Sequence, residues 1–243
     1  MLVRTFRDAP ETWFFEHAPS RTIVTPDDRV DHIILDTRFS VDRLVDMRTA
    51  ALDGFQAQAH YCIEGHGIGF VDDLGHLFTQ GTVIAAGIHR KIAFEAKSPM
   101  RIVTILGASP AEDHVVVRSV DEIIGSDRDV FWGNGYSRRL LVRRDGFGFA
   151  LCVTQGNPDT SSPLQYRNHV ESCYYVAGTG EYVWEGGSHP IDTNGGVSTV
   201  FVMNEHDAHH MVVKEESTCL SIFSPAIEGH ESHSLGEGQA SSY

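Results

Sequence analysis

The stretch Tyr61-Cys-Ile-Glu-Gly-His-Gly67 returns about 113 residues later as Tyr174-Tyr-Val-Ala-Gly-Thr-Gly180, and each copy lies in a run of alternating apolar residues. Upstream, Val3-Arg-Thr-Phe6 is echoed by Val117-Arg-Ser-Val120 at nearly the same offset. Solenoid repeats span only some tens of residues, so this repeat is too long to be one of their units. The pattern therefore predicts a duplicated domain.

The predicted boundary lies in Gly107-Ala-Ser-Pro-Ala-Glu-Asp113, a small and polar segment with the composition of a linker. We place it near residue 113, which gives an N-terminal domain of residues 1–112 and a C-terminal domain of residues 113–243. A chain of 243 residues is long enough for each half to bury its own core.

Short strand signals dominate both halves. Runs rich in Val, Ile, Phe and Tyr, such as Arg101–Leu106, Phe147–Val153 and Thr218–Phe223, alternate with segments containing Gly, Asp, Asn or Pro. The one clear helix candidate is Val120–Ile124. This spacing is typical of an all-β protein built from antiparallel barrels or sandwiches.

Composition narrows the class of partner. With 19 Lys and Arg against 33 Asp and Glu, the net charge of -14 would repel nucleic acid and an acidic membrane surface, which favours a small-molecule substrate. No stretch approaches the roughly 18 apolar residues of a membrane span. The four cysteines, Cys62, Cys152, Cys173 and Cys219, lack CxxC spacing and are read as buried thiols of a reducing compartment, so we expect a cytoplasmic protein.

The second half carries the residues that could hold a metal. Side chains alternate along a strand, so His169, Glu171 and Cys173 share one face. If Val200–Met203 lies on a neighbouring strand and His206-Asp-Ala-His-His210 follows it, Glu171 and His209 converge inside a barrel.

A carboxylate and an imidazole suit Fe(II), with Zn or another divalent metal as the alternative. The predicted ligands are Glu171 and His209, with His169 as a third; His206 or His210 could also approach. The competing interpretation is structural, with Glu171 a buried carboxylate satisfied by nearby donors and His209 a packed neutral imidazole.

The spacing from Glu171 to Gly178 resembles the first metal motif of cupin barrels, and the segment 195–209 resembles the second. Longer stretches are similar, in order, to those of ectoine synthases, and the resemblance covers residues 115–243, with a fainter version in the first half. These stretches are Val117–Arg128, Ser137–Leu141, Asp145–Phe149, Tyr166–Glu171, His206–His209 and Phe223–Pro225.

Ectoine synthases are small dimeric cupins that use Fe(II) to close N-γ-acetyl-diaminobutyrate into the cyclic amidine ectoine, with loss of water. The resemblance implies two tandem cupin barrels (double-stranded β-helix, jelly-roll), together a bicupin. It places the family's iron-binding glutamate and histidine at Glu171 and His209. The family's third ligand, a tyrosine, falls on Phe201, whose ring has no donor atom.

The resemblance also implies a substrate pocket. The family's pocket tryptophan falls near Gly135, and Trp132 is the residue we expect to take its place. The predicted proton-transfer residues are Glu231 and His233, with Tyr166 beside them, and the tail from Gly229 is a candidate lid. The predicted substrate-binding residues are Arg139, Thr154, Tyr166, Phe223 and Trp132.

In the first half, the glutamate, histidine and tyrosine positions become Gln58, Ile92 and Ile84, so the family's metal site is lost there. We therefore expect an intramolecular pseudo-dimer in which the first half supplies the partner surface, and further homodimerisation stays open.

The predicted function is an ectoine-synthase-like cyclodehydratase acting on an N-acyl diamino acid. Two alternatives remain at this stage: a cupin metalloenzyme with lyase or oxygenase chemistry, and a non-catalytic bicupin that binds a small molecule. Several pocket residues also have ordinary structural interpretations: Arg139 as an ion-pair partner, Tyr166 and Phe223 as barrel filling, and Glu231 and His233 as parts of a solvated tail.

Overall fold

The computed structural model describes residues 1–48, 54–108 and 114–233, so part of the predicted linker and residues 234–243 of the tail lie outside it. Within the described residues there are twenty strands and one α-helix, α1 (Val120–Ile123), together with short 3-10 turns at Pro26–Asp28 and Arg143–Asp145. The helix lies where it was predicted. Ser119 begins it with a capping box, in which its Oγ accepts from the Glu122 backbone while the Glu122 carboxylate accepts from the Ser119 backbone.

The strands fall into two successive sets. The first set is β1 (Leu2–Thr5), β2 (Glu11–Phe15), β3 (Ala18–Val24), β4 (His32–Phe39), β5 (Leu44–Asp46), β6 (Ala57–Glu64), β7 (His66–Val71), β8 (Leu74–Thr79), β9 (Thr82–Gly87), β10 (Ile92–Ala96) and β11 (Met100–Gly107). The second set is β12 (Val115–Ser119), β13 (Asp129–Phe131), β14 (Tyr136–Leu141), β15 (Ala150–Gly156), β16 (Thr160–Leu164), β17 (Val170–Trp184), β18 (Gly187–Asp192), β19 (Thr199–Met203) and β20 (His209–Ser224).

The strands assemble into three antiparallel sheets. One has the order β12-β9-β6-β11-β4-β3-β2, and a four-stranded sheet, β5-β10-β7-β8, belongs to the same half. The third has the order β1-β19-β17-β20-β15-β14-β13, with β16 paired to β20 and β18 to β17. The all-β prediction is confirmed.

The two halves exchange their first strands. Strand β1 leaves the N-terminal half and pairs with β19, with Val3 opposite Phe201. Strand β12 makes the reciprocal pairing with β9, with Val117 opposite Ile84. These are the two echoed segments of the sequence, so the repeated residues occupy equivalent places on opposite sheets.

A shared apolar core joins the halves, with Tyr61 and Val103 from one side and Leu220 from the other. A buried ion pair lies beside this core. The Asp36 carboxylate accepts hydrogen bonds from Arg101 Nε at 2.9 Å and from the Tyr174 hydroxyl at 2.7 Å. Arg101 also donates to Ser198 Oγ at 2.9 Å, so this network crosses from the first half to the second.

The two barrel interiors differ. The first is filled by phenylalanines: the ring of Phe94 lies 4.5 Å from Phe78 and 6.1 Å from Phe39, measured between centroids. The second is lined by sulfur-containing, aromatic and polar side chains, among them Cys173, Tyr182 and Met211. The second barrel is therefore the one in which a functional cavity is expected. None of the helices in the described ranges is long and apolar enough to cross a membrane.

Candidate active site

A cavity lies inside the second barrel. It offers about 20 Å³ to the centre of a water molecule, which is room for roughly one ordered water. Its wall combines apolar, hydroxyl, thiol and titratable groups. The lining residues are Trp132, Ser137, Thr154, Leu164, Tyr166, Glu171, Cys173, Tyr182, Met211, Cys219, Ser221, Phe223 and His233.

Glu171 provides the only carboxylate among these lining residues. It lies near the start of β17, opposite Phe223 on β20 and Met203 on β19, and its side chain is 3% exposed. Burial raises the pKa of this carboxyl to about 8, and a hydrogen bond with Ser221 opposes the rise only in part. A nearby cation would offset the cost of burying the ionised form.

His209 begins β20 and is also buried, at 2% exposure. Its Nδ1 lies 3.0 Å from the carbonyl oxygen of Asp207, which can only accept, so Nδ1 carries the proton and Nε2 keeps a lone pair. Nε2 is buried without a hydrogen-bond partner. Burial lowers the pKa of this imidazole to about 4, so the ring is neutral at physiological pH. A neutral imidazole oriented through a carbonyl is the usual form of a metal-binding histidine.

Tyr182 contacts His209 and lines the same cavity as Glu171. The His209 and Tyr182 rings stack with centroids 5.1 Å apart, and Glu171 lies within electrostatic reach of the Tyr182 hydroxyl. A buried carboxylate and a buried imidazole nitrogen without a partner fit Fe(II) or another divalent cation in donor chemistry.

His169 is placed differently. Its Nδ1 lies 2.7 Å from the carbonyl oxygen of Pro225, and it is not among the residues that line the cavity. Across the described residues, no group of three or more His, Cys, Asp or Glu side chains is arranged to hold a metal ion. His209 does not line the cavity either, and what makes it the candidate ligand beside Glu171 is its buried Nε2, which has no hydrogen-bond partner.

The predicted pocket residues of β15, β20 and the C-terminal segment meet in the cavity wall. The Tyr166 hydroxyl lies 3.3 Å from His233 Nε2, and the Tyr166 ring packs edge-on against Phe223 at 5.1 Å. Thr154 Oγ1 lies 3.1 Å from Ser221 Oγ. Burial lowers the pKa of His233 to about 4, and the charge of Arg139 adds to the effect.

Trp132 lies in the cavity wall, whereas Gly135 lies behind it. A Cβ on Gly135 would fall 1.9 Å from the carbonyl oxygen of Gln155, so any side chain there would force the backbone to move. The same carbonyl accepts a hydrogen bond from Trp132 Nε1 at 2.9 Å. This arrangement holds the indole in the wall and excludes a tryptophan at position 135 without backbone movement.

Arg139 and Glu231 bind each other outside the cavity lining. Arg139 is 1% exposed and donates to the Glu231 carbonyl, while its Nη1 lies 3.4 Å from Glu231 Oε2. The Glu231 carboxylate also accepts from the backbone of Glu228 at 2.6 Å and of Gly229 at 2.8 Å. Burial would raise the pKa of Glu231, but the backbone hydrogen bonds and Arg139 lower it overall. The pair therefore holds the C-terminal segment across the barrel, with His233 at the cavity.

Sequence reasoning did not assign Tyr182, Cys173 or Cys219 to the pocket. The two thiols lie 3.0 Å apart in the cavity wall. Alternation along the strand placed Cys173 on the face of Glu171, although it gave the thiol no role in the pocket. Tyr182 could not be placed in this way, because pairing shifts between Tyr175 and Gly180 break the alternation along β17.

In the first barrel, the counterparts of the predicted ligands are structural. Gln58 Nε2 donates to the carbonyls of Gly87 and Arg90, and its Oε1 lies 3.1 Å from His60 Nε2. Ile84 and Ile92 are fully buried in the apolar interior.

Comparison with known structures supports the two-barrel architecture. Protein Ylba from E. coli matches with a TM-score of 0.70 over 92% of this chain and 90% of that one, at 12% identity. An oxalate decarboxylase from Bacillus subtilis matches with a TM-score of 0.69 over 94% of this chain and 78% of that one, at 10% identity. At such identities the likeness concerns the fold alone, and it confirms a bicupin.

Sequence comparison is more specific and concerns the half with the cavity. The L-ectoine synthase of Desulfatibacillum aliphaticivorans is 36% identical over 121 residues, which cover 49% of this chain and 92% of that protein. The L-ectoine synthase of Halalkalibacterium halodurans is 33% identical over 119 residues, or 48% and 89% of the two chains. The family model described as ectoine synthase matches residues 115–240. Because this match takes in more than half of the chain and the entire cavity wall, the chain belongs to the ectoine synthase family.

Proposed function

We propose that the protein is a metal-dependent cyclodehydratase that closes an N-acyl diamino acid, such as N-γ-acetyl-diaminobutyrate, to a cyclic amidine. The observation that carries this proposal is the buried Glu171 carboxylate in the wall of the barrel cavity, within the half that matches L-ectoine synthases. A carboxylate buried in this way favours a cation beside it.

The metal would be held by Glu171 and His209, and Fe(II) suits this donor pair, with Zn or another divalent ion as the alternative. When bound, the metal would supply Lewis acidity toward the amide carbonyl oxygen.

The reaction forms one C–N bond and breaks one C–O bond. The amine nitrogen attacks the amide carbonyl carbon, and the carbonyl oxygen leaves as water with both protons of the attacking amine. The closed barrel holds amine and carbonyl together and excludes bulk water. His233 is the proposed proton acceptor at Nε2, because burial keeps its imidazole neutral, and the Tyr166 hydroxyl beside it is the proposed donor to the departing oxygen.

Arg139 and Glu231 have a different role in this proposal. Since they bind each other, Arg139 acts on the C-terminal segment and not as a clamp for a substrate carboxylate. The cavity has room for only about one water, so a diamino acid enters only after the segment 229–233 moves. The segment is therefore proposed to act as a lid.

The first half is proposed to be a degenerate copy that replaces the second subunit of a dimer. The reciprocal strand exchange between the two halves and the filled interior of the first barrel support this account.

The test is to load the purified full-length protein with Fe(II) under anaerobic conditions and supply N-γ-acetyl-diaminobutyrate. We expect a product lighter by the mass of one water, identified by mass spectrometry, and none with metal-free protein. If neither this compound nor related acyl diamines are cyclised by iron-loaded protein, the proposal is wrong.

The absence of a three-residue His, Cys, Asp or Glu metal group among the described residues favours one second candidate, a binding module without catalysis. Under that alternative, metal-free protein would be stabilised against heat by a small polar ligand, and neither iron nor zinc would copurify with it.

A further inference from the structure

Tyr182 is a polar residue inside the second barrel, and it has no role in the proposed cyclisation. It lies on β17 opposite Met211 of β20, it is 1% exposed, and it lines the cavity. A buried phenol needs polar partners for its hydroxyl, and Cys173 and Tyr175 lie beside that of Tyr182.

The Tyr182 ring is held between two neighbours. It stacks on Phe201 with centroids 4.2 Å apart and planes 14° apart, and on His209 at 5.1 Å and 17°. The two stacked neighbours fix the plane of the ring, whose one polar group is the hydroxyl.

Tyr182 lines the cavity together with Glu171. It is close enough to Cys173 to affect that thiol, and Cys173 shares the strand face of Glu171. The Glu171 charge also acts directly on Tyr182. Tyr182 therefore contacts the imidazole whose Nε2 lacks a partner and shares the cavity wall with the buried carboxylate.

We propose that the Tyr182 hydroxyl oxygen is the third protein donor to the metal held by Glu171 and His209. This inference rests on the proposed function, because it presupposes a metal in the cavity. A phenolate oxygen, a carboxylate and an imidazole form a donor set suited to iron. The Phe201 ring, whose centroid lies 4.2 Å from that of Tyr182, has no donor atom. Tyr182 therefore supplies an oxygen that Phe201 cannot.

The experiment compares wild type with Tyr182→Phe, Tyr175→Phe and Tyr166→Phe. Tyr175 is the comparison on the same strand: it is fully buried and lies beside the Tyr182 hydroxyl, but it does not line the cavity, and its own hydroxyl donates to Met211 Sδ at 2.7 Å. Each protein is loaded with Fe(II) without oxygen, its affinity is measured by competition with a chelator, and the iron is then oxidised. An Fe(III)–phenolate bond gives a visible charge-transfer absorption.

We expect wild type and Tyr175→Phe to bind iron and to show the visible absorption. Tyr182→Phe should lose the absorption and at least about tenfold in iron affinity, because removal of even an outer-shell partner of a metal costs that much. Thermal unfolding of each variant checks that it is folded, and the wild-type spectrum is informative whether or not a variant folds.

Three results would overturn the inference. If the wild-type protein binds iron but shows no visible absorption, no tyrosine is a ligand. An absorption kept in Tyr182→Phe and lost in Tyr166→Phe assigns the ligand elsewhere, and the proposed function stands in both cases. Wild type that binds no metal overturns this inference together with the metal dependence of the proposed function.

Discussion

At the scale of single residues, the proposed metal binding in the cavity depends on the Glu171 carboxylate. Glu171→Gln keeps the volume of the side chain and removes the charge that would hold a cation. We expect at least about a 100-fold loss in cyclisation and the loss of bound iron, since first-sphere ligands matter more than outer ones. Metal analysis and product mass spectrometry measure the two effects.

The matched control for that prediction is Glu64→Gln, which changes an exposed glutamate in the first copy of the repeat. It should keep both iron and activity. Full iron content and turnover in Glu171→Gln would contradict the assignment of Glu171.

A second residue-scale prediction concerns the ion pair between the halves. Asp36 is 1% exposed, so Asp36→Asn leaves the buried Arg101 guanidinium without its counter-charge. We expect a loss of about 3–5 kcal/mol in the free energy of unfolding, measured with urea. Tyr174→Phe removes a neutral hydroxyl that donates to the same carboxylate and accepts from Arg101 at 3.1 Å, and it should cost about 1 kcal/mol. Equal losses in the two variants would show that the charge is not decisive.

At the scale of elements, Arg139 and Glu231 hold the C-terminal segment over the barrel. Glu231→Gln weakens this attachment and the hydrogen bonds to the backbone of residues 228 and 229. We expect faster amide hydrogen exchange in residues 229–233 and a red shift of tryptophan emission, because the Trp132 ring lies 5.8 Å from His233.

Glu228→Gln is the control for the segment, since Glu228 is exposed and pairs with Arg143 away from the cavity. It should leave both signals unchanged. If exchange in 229–233 is the same in Glu231→Gln as in wild type, the pair does not hold the lid.

The buried residue Asp145 helps to attach the exchanged strand β12 to the second half. The Asp145 carboxylate binds Arg118 of β12 at 3.2 Å and Arg128 at 2.7 Å. Burial would raise the pKa of Asp145, but the hydrogen bonds from Arg128 and the Val142 backbone lower it overall. Because the folded pKa lies below the unfolded one, this contribution to stability is present above the unfolded pKa, about 3.9, and is lost as pH falls through the folded pKa.

Asp145→Asn should therefore lower the free energy of unfolding at neutral pH by about 1.5–3 kcal/mol and flatten its fall between about pH 5 and pH 2. Denaturant titrations across that range measure both effects. Asp127→Asn, which removes an exposed pair with Arg144, is the control. An unchanged acid dependence in Asp145→Asn would contradict the argument.

At the scale of the whole molecule, strand exchange makes each half incomplete. A fragment of residues 113–243 would expose the edge of β19 that β1 covers, and its own β12 would lose β9. Since β12 repeats the sequence of β1, a second copy of the fragment can supply the missing strand in both directions.

We therefore expect the fragment to be a homodimer by light scattering. Val117→Pro should prevent dimerisation, because proline removes a hydrogen-bond donor from the ladder. A folded monomeric fragment would contradict the pseudo-dimer account.

Much of the fold followed from local pattern. Alternation and turn residues predicted an all-β chain, and the repeated Tyr-x5-Gly stretch predicted two barrels, because strand periodicity is a local property of the backbone. The strand face of Glu171 was predictable for the same reason. The place of Tyr182 was not, since the pairing shifts along β17 reverse which side chains point inward.

The sequence by itself determined the all-β class and the family resemblance of the second half, and it predicted the duplication and the pair Glu171 and His209, because each rests on residue type and spacing. Only the tertiary structure decided that Arg139 binds Glu231, that Trp132 lies in the cavity wall and that Tyr182 stacks between Phe201 and His209. These contacts join residues far apart in the chain, and their partners are set by sheet register and packing, which no local pattern encodes.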